Sequence, residues 1–379
     1  MAVMEKENQI LKLAAAFPSV YAVEKEYQIC VPVREECTMW VQVGQKHYYD
    51  HSNGILRSGK FLHLVHVPQE VLDREKRYVV YLRRINERKS YFTDCGELES
   101  ATYDFRPLME KEAYHIVNLA DAHNLVQEPV SSGSYFGDQL DLLIMNGDIP
   151  NSGEDISFFL NIYLISGAIT KGRVPCVFSR GNHDMRGKYA EQLADYTPVS
   201  GGRSYYTFQL GPVWGIVLDA GEDKVDACEE YGHTICCEAF REEEEEFLDR
   251  VIAAGEYRSA SVRLVISHHP ITWCIEPPFD IEKERYARWA AKLKEVKPVL
   301  WLSGHLHVCF LEDRGGAHDS FGRPCAQVCS SYNDMEKHRH ISGAIILTKE
   351  EIRVKYITEQ GKIWGEETLP INGFEEILE

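Results

Sequence analysis

Five short clusters of aspartate, asparagine and histidine carry the residue types from which a metal centre could be built. They are Asp121-Ala122-His123, Asn146-Gly147-Asp148, Gly181-Asn182-His183-Asp184, Ser267-His268-His269-Pro270 and Gly304-His305-Leu306-His307. Carboxylate oxygen and imidazole nitrogen suit borderline divalent ions such as Mn, Fe, Zn or Co. One aspartate can bridge two such ions and hold them roughly 3.5–4 Å apart, the spacing used for phosphoryl displacement. A pair held in this way acidifies a bridging water to hydroxide near neutral pH and clamps phosphoryl oxygens as negative charge builds on them.

The elements around the clusters show how they could meet. Each follows a compact apolar run: Ile116 to Ala120, Leu142 to Met145, Val174 to Phe178, Leu264 to Ile266 and Val299 to Leu302. In open α/β sheets, ligand sites form where the carboxyl ends of strands converge. Five strand ends could therefore share one place although they run from residue 121 to residue 307. Glycines before Asp148, Asn182 and His305 would let the backbone turn and approach closely. Any single cluster is weak, since a lone strand-end histidine is more often a hydrogen-bonded structural residue. Five in series, each behind an apolar run, are poorly explained by chance.

Beyond Pro107 the apolar runs alternate with helical periodicity, which predicts an α/β architecture. Helices are expected around Ile156, Phe159, Leu160 and Tyr163, around Phe240, Phe247, Leu248 and Val251, and around Tyr286, Trp289 and Leu293. The acidic run Glu242 to Glu246 reads as the solvated face of the second. From Tyr21 to Pro107 the alternation has period two, with Asn53-Gly54 as a tight hairpin turn, so a small all-β, sandwich-like domain is expected over residues 1–110. Ile10 to Phe17 reads as a short leading helix, and residues 111–379 as the catalytic domain. The stretch from Ile341 to Ile357 again reads as strands.

Composition narrows the partners. The 379 residues include 41 Lys and Arg against 59 Asp and Glu, a formal net charge of −18. That sign disfavours nucleic acid, which selects basic surfaces, but allows a small phosphorylated substrate at a metal centre. Eleven scattered cysteines form neither a zinc ribbon nor a disulfide framework. With no run of membrane-span length, a cytoplasmic protein is expected. Oligomeric state is left open.

The ordered series Asp-x-His, Gly-Asp, Gly-Asn-His-Asp, His and Gly-His-x-His, from about Asn118 to Val308, resembles the calcineurin-like metallophosphoesterase superfamily. The resemblance implies a four-layer α/β/β/α sandwich with two divalent metal ions per chain (Mn, Fe or Zn) at the strand ends. Carried over by position, one ion would take Asp121, His123 and His307, and the other Asn182, His268 and His305. Asp148 would bridge them. His183 would protonate the leaving group and Asp184 would orient its ring. His269 competes with His268, which matches the family position better.

The β domain gives a distant likeness to purple acid phosphatases. Their iron-binding tyrosine, three residues beyond the Gly-Asp aspartate, is here Asn151, so neither purple colour nor a required ferric ion is expected. Arg186 is a candidate substrate-binding residue, although salt bridges are the more ordinary role for it and for Arg180. Asn151 and His233 could line the pocket. His318, His338 and His340 read as exposed loop residues, and Arg83-Arg84 and Arg88-Lys89 as charged sheet edges. The expected reaction is cleavage of a phosphate ester by a metal-bound hydroxide attacking in line, with a small-molecule phosphodiester as leading substrate class. A phosphomonoesterase is the alternative; a nuclease and a non-catalytic metal-binding scaffold are disfavoured.

Overall fold

The computed structural model describes residues 6–371. Its frame is two sheets packed face to face. In the ten-stranded sheet, Tyr114–Leu119, Leu142–Asn146, Pro175–Ser179 and Ser19–Val23 run parallel, in that order. In the six-stranded sheet, Val213–Leu218, Val262–Ser267, Leu300–Ser303 and Ala326–Ser330 do the same.

The strands are buried on both faces, and their alternating side chains serve two cores. Leu142 and Ile144 point between the sheets, where they join Leu264, Ile266, Leu300 and Leu302. Leu143 and Met145 point the other way, against Ile162 and Tyr163 of the helix Asn161–Thr170. On the far side, Val265 and Trp301 pack with Leu248 of the helix Cys237–Ala254 and Trp289 of the helix Lys283–Leu293. Helix, sheet, sheet, helix is the four-layer order expected from the sequence.

Apart from one two-stranded hairpin, the strands of the first 110 residues divide between two sheets. Ser19–Val23, Glu26–Pro32 and Leu62–Pro68 extend the ten-stranded sheet through pairing with Pro175–Ser179. Cys37–Val43, Lys46–Tyr49, Arg77–Glu87 and Asp94–Asp104 belong to a separate five-stranded sheet. Its Val41 and Val80 share one apolar cluster with Ile29 and Val65 of the larger sheet. The hairpin expected at Asn53-Gly54 is present, with both residues at positive φ between His51–Ser52 and Ile55–Leu56.

Three expectations are corrected. No helix forms in the described part of the leader: Lys6–Glu7 is a strand, and Leu11, Leu13, Ala14 and Ala16 are buried in irregular chain. A run this short before Pro18 cannot offset the cost of helix nucleation, and packing decides its course instead. Glu244 is not on a solvated face. The buried stripe of its helix is Cys237, Arg241, Glu244 and Leu248. His340 is also buried, between Ser132 Oγ at 3.0 Å and the Ala120 carbonyl at 2.9 Å; burial pushes its imidazole down to about 4. His318 stacks on Phe310 with ring centroids 4.2 Å apart, whereas His338 is exposed. No helix among the described residues is long and apolar enough to cross a membrane.

Candidate metal centre

All five clusters arrive at one edge of the frame, beyond the carboxyl ends of the parallel strands. Asn118 ties the two sheets together there, its side chain donating to the Ser303 carbonyl at 2.9 Å and to Ser330 Oγ at 2.8 Å. The strand ends are stitched in turn: Asp121 N–H donates to the Gly147 carbonyl, His123 N–H to that of Asp148, and Gly304 N–H to that of His268.

Five of the seven expected ligands sit in the left-handed backbone region, with φ of 57° at Asp121, 42° at His123, 53° at Asp148, 70° at His305 and 54° at His307. Non-glycine residues rarely adopt that conformation, and it costs about 1–3 kcal/mol each where the surroundings impose it. Such strain at one site is characteristic of a functional constellation. Gly181 shows how tightly the turns approach, since a Cβ there would lie 2.2 Å from Asp148 Oδ1.

The ligand atoms form overlapping groups. Those of Asp121, His123 and His307 lie within 4.8 Å of one another, as do those of Asp148, His268 and His305. Asp148 Oδ2 is 3.1 Å from His268 Nε2 and 3.9 Å from His123 Nε2, between the two groups. Asn182 Oδ1 is 3.2 Å from His305 Nδ1. A third group joins His123, Asp148 and His183. His269 belongs to none of the three; its ring packs on His305 with centroids 4.0 Å apart.

Two buried atoms at the centre, Asp121 Oδ1 and His268 Nε2, have no hydrogen-bond partner. Buried polar atoms are almost always satisfied, so each of the two points to a cation at its own ligand group. Electrostatics agree. Burial alone would raise the Asp121 carboxyl, but His268, His123 and His307 hold it well below the ordinary range. Burial alone would lower His268, but Asp148 and Asp121 push it up to about 10. In metal-free protein the His268 imidazolium supplies the positive charge. The carboxylate and imidazole donors therefore fit divalent ions, and binding must displace that proton. Metal affinity is expected to rise by up to about tenfold per pH unit between roughly pH 6 and 9, with proton release on loading. Parallel metal titrations in weak buffer check this, and an affinity independent of pH would contradict it.

The supporting residues differ from expectation. The Asp184 carboxylate does not touch the His183 ring. It accepts from the backbone N–H groups of Asp148, Ile149 and Gly181, at 3.1, 3.1 and 2.7 Å. Burial and then the Asp148 charge push it up to about 7. Asn151 orients the ring instead, its carbonyl accepting from His183 Nδ1 at 2.9 Å, while its side-chain oxygen meets His123 Nδ1 at 3.0 Å. The position that lacks the purple-phosphatase tyrosine thus holds two site histidines. Ser331, which carried no signal in the sequence, donates its hydroxyl to Asp121 Oδ2 and accepts the His307 N–H at 3.1 Å. Arg180 pairs with buried Asp219 at 2.6 Å. Arg186 reaches the rim beside His183.

Comparison with known proteins agrees with this geometry. The family model described as calcineurin-like phosphoesterase matches residues 93–309. Among solved structures, purple acid phosphatase PPD1 from yellow lupin (Lupinus luteus) seeds is 11% identical with a TM-score of 0.61, over 96% of this chain and 75% of its own. PhoD is also 11% identical, with a TM-score of 0.53 over 96% of this chain and 90% of its own. At such identities the likeness is one of fold. No curated protein sequence matches the chain.

Proposed function

The chain belongs to the calcineurin-like phosphoesterase family and is a divalent-metal-dependent phosphoric ester hydrolase, and from that premise we propose that it cleaves a small-molecule phosphodiester. The observation that carries the reading is the pair of ligand groups with Asp148 between them and His183 alongside. We assign Asp121, His123 and His307 to one ion, Asn182, His268 and His305 to the other, and Asp148 to both, with Mn, Fe or Zn as the ions. Two ions so placed supply Lewis acidity, lowering the pKa of water and neutralising phosphoryl oxygens.

The remaining chemistry belongs to side chains. His183 stands beside the ligands, its ring centroid 4.6 Å from that of His123. With Nδ1 directed to the Asn151 carbonyl, Nε2 is the nitrogen left to protonate the leaving-group oxygen. Asp184 holds the backbone of the turn that carries His183.

A diester is favoured over a monoester by the charge beside His183. There Glu222, Asp223 and Glu230 outnumber Arg186 and Lys224. A diester brings one negative charge to that surface and a monoester up to two. The same acidic balance disfavours nucleic acid. Eleven free cysteines accord with a cytoplasmic location.

Metal analysis combined with hydrolysis of a bis-aryl phosphodiester and an aryl phosphomonoester under Mn, Zn, Fe and Co tests the proposal. About two metals per chain and faster diester turnover are expected. Monoester turnover alone would make the enzyme a phosphatase. Failure to bind metal after reconstitution would overturn the ligand assignment.

A further inference from the structure

Arg186 follows the turn that carries His183, and its guanidinium is held before any substrate arrives. Nε and Nη2 donate to the two carboxylate oxygens of Glu222, each at 2.6 Å. The Glu222 side chain is 1% exposed. Its carboxylate also accepts from the Tyr231 hydroxyl at 3.1 Å, and its backbone carbonyl from buried Arg241 at 3.3 Å. The clamp is thus fixed independently of Arg186.

Glu222 occupies two of the three guanidinium nitrogens. The third, Nη1, is turned toward the site and lies 3.3 Å from His183 Nε2. Two other carboxylates stand farther off: Glu230 is 3.9 Å from Nη1 and is itself tied to Lys224, and Asp223 is 3.8 Å from Nη2. An unclamped arginine gives up much rotamer freedom to hold one oxygen; a bidentate carboxylate removes that cost beforehand. A staple joining two loops would account for the fork but not for Nη1 facing the nitrogen that serves the leaving group.

We propose that Glu222 is a positioning residue that locks Arg186 so that Nη1 donates to a non-bridging phosphoryl oxygen on the His183 side of the site. The inference rests on the phosphoesterase reading and adds how this chain grips the anionic oxygen there.

The test uses the full chain loaded with Mn, inorganic phosphate as the binding probe, and diester kinetics. Arg186→Gln is expected to weaken phosphate binding by about 10–100-fold, the range for one charge-assisted hydrogen bond. Glu222→Gln should reproduce most of that loss, and the double variant should be no weaker than Arg186→Gln alone, because the two act as one unit. On the diester, KM should rise by more than kcat falls. Tyr231→Phe removes one bond that holds Glu222 but keeps both fork bonds, so its loss should be smaller than that of Glu222→Gln.

If Glu222→Gln does not fold, because burial leaves a charge unmatched, Arg186→Lys carries the test. It keeps the charge, loses the fork, and should bind phosphate as weakly as Arg186→Gln. Variants that lower the thermal midpoint but leave phosphate binding and KM unchanged would overturn the proposal, as would additive losses in the double variant. A wild-type protein that loads metal but cleaves neither ester would count against the phosphoesterase reading; the phosphate titrations would still decide the role of Arg186.

Discussion

Replacing Asp148 with asparagine is expected to strip the centre of metal and abolish turnover while leaving the fold intact. The side chains are nearly isosteric, and an asparagine oxygen can still accept the His183 N–H that Asp148 Oδ1 accepts at 2.8 Å. What disappears is the charge at Oδ2, 3.1 Å from His268 Nε2 and between the two ligand groups. Both groups lose a donor at once, so the effect should exceed the roughly 10–100-fold in affinity that outer-shell substitutions cost.

The stability of the metal-free protein should change little. In metal-free protein Asp148 stands among buried carboxyl groups, and after burial itself its charge is what pushes Asp184 up to about 7. Removing it relieves that repulsion, but His268 loses its first counter-charge. The metal-free variant is therefore expected to melt within a few degrees of metal-free wild type while wild type alone gains stability on loading. Elemental analysis and thermal melts with and without metal check both halves. A variant that still holds two metals per chain would show that Asp148 does not bridge.

How legible this site was follows from how local each signal is. The five clusters could be read because each sits directly behind its own strand, and parallel strands buried on both faces are written as compact apolar runs. The alternation of those runs with helical periodicity argued for an α/β class, while the four-layer order was what the family resemblance implied. The residues that support the ligands left no such mark. Ser331 meets Asp121 across 210 positions of sequence, and Asn151 is one asparagine in a loop until its carbonyl is seen on His183.

Glu244 illustrates the opposite error. Its place in an acidic run argued for solvent, yet it accepts the Asp219 N–H at 2.8 Å beneath a strand end that offers no backbone partner. His340 was misread for a similar reason, since a histidine satisfied on both nitrogens is as much at home inside as out. The first 110 residues show a third limit. Period-two alternation identified strands there, but the pairing of Ser19–Val23 with Pro175–Ser179 is a tertiary choice between partners more than 150 residues apart. No local pattern records it.

His183→Ala is the second large effect, and its character separates an acid from a ligand. His183 shares a ligand-sized group with His123 and Asp148, so loss of activity alone would not distinguish the two roles. As general acid, His183 is dispensable for metal, and the variant should retain the wild-type complement while turnover of an alkyl-leaving diester falls by about 10²–10⁴-fold. With an aryl leaving group that departs as a stable anion, little protonation is needed and most of that loss should vanish. Asn151 sets the ring's orientation through its backbone carbonyl, so Asn151→Ala should leave this behaviour largely intact while perturbing His123, which bonds to the side chain. Equal losses on both leaving groups, or a drop in metal content, would remove His183 from the acid role and make it a ligand. The contrast between leaving groups is thus the decisive quantity, because it reports the fate of one proton at one nitrogen.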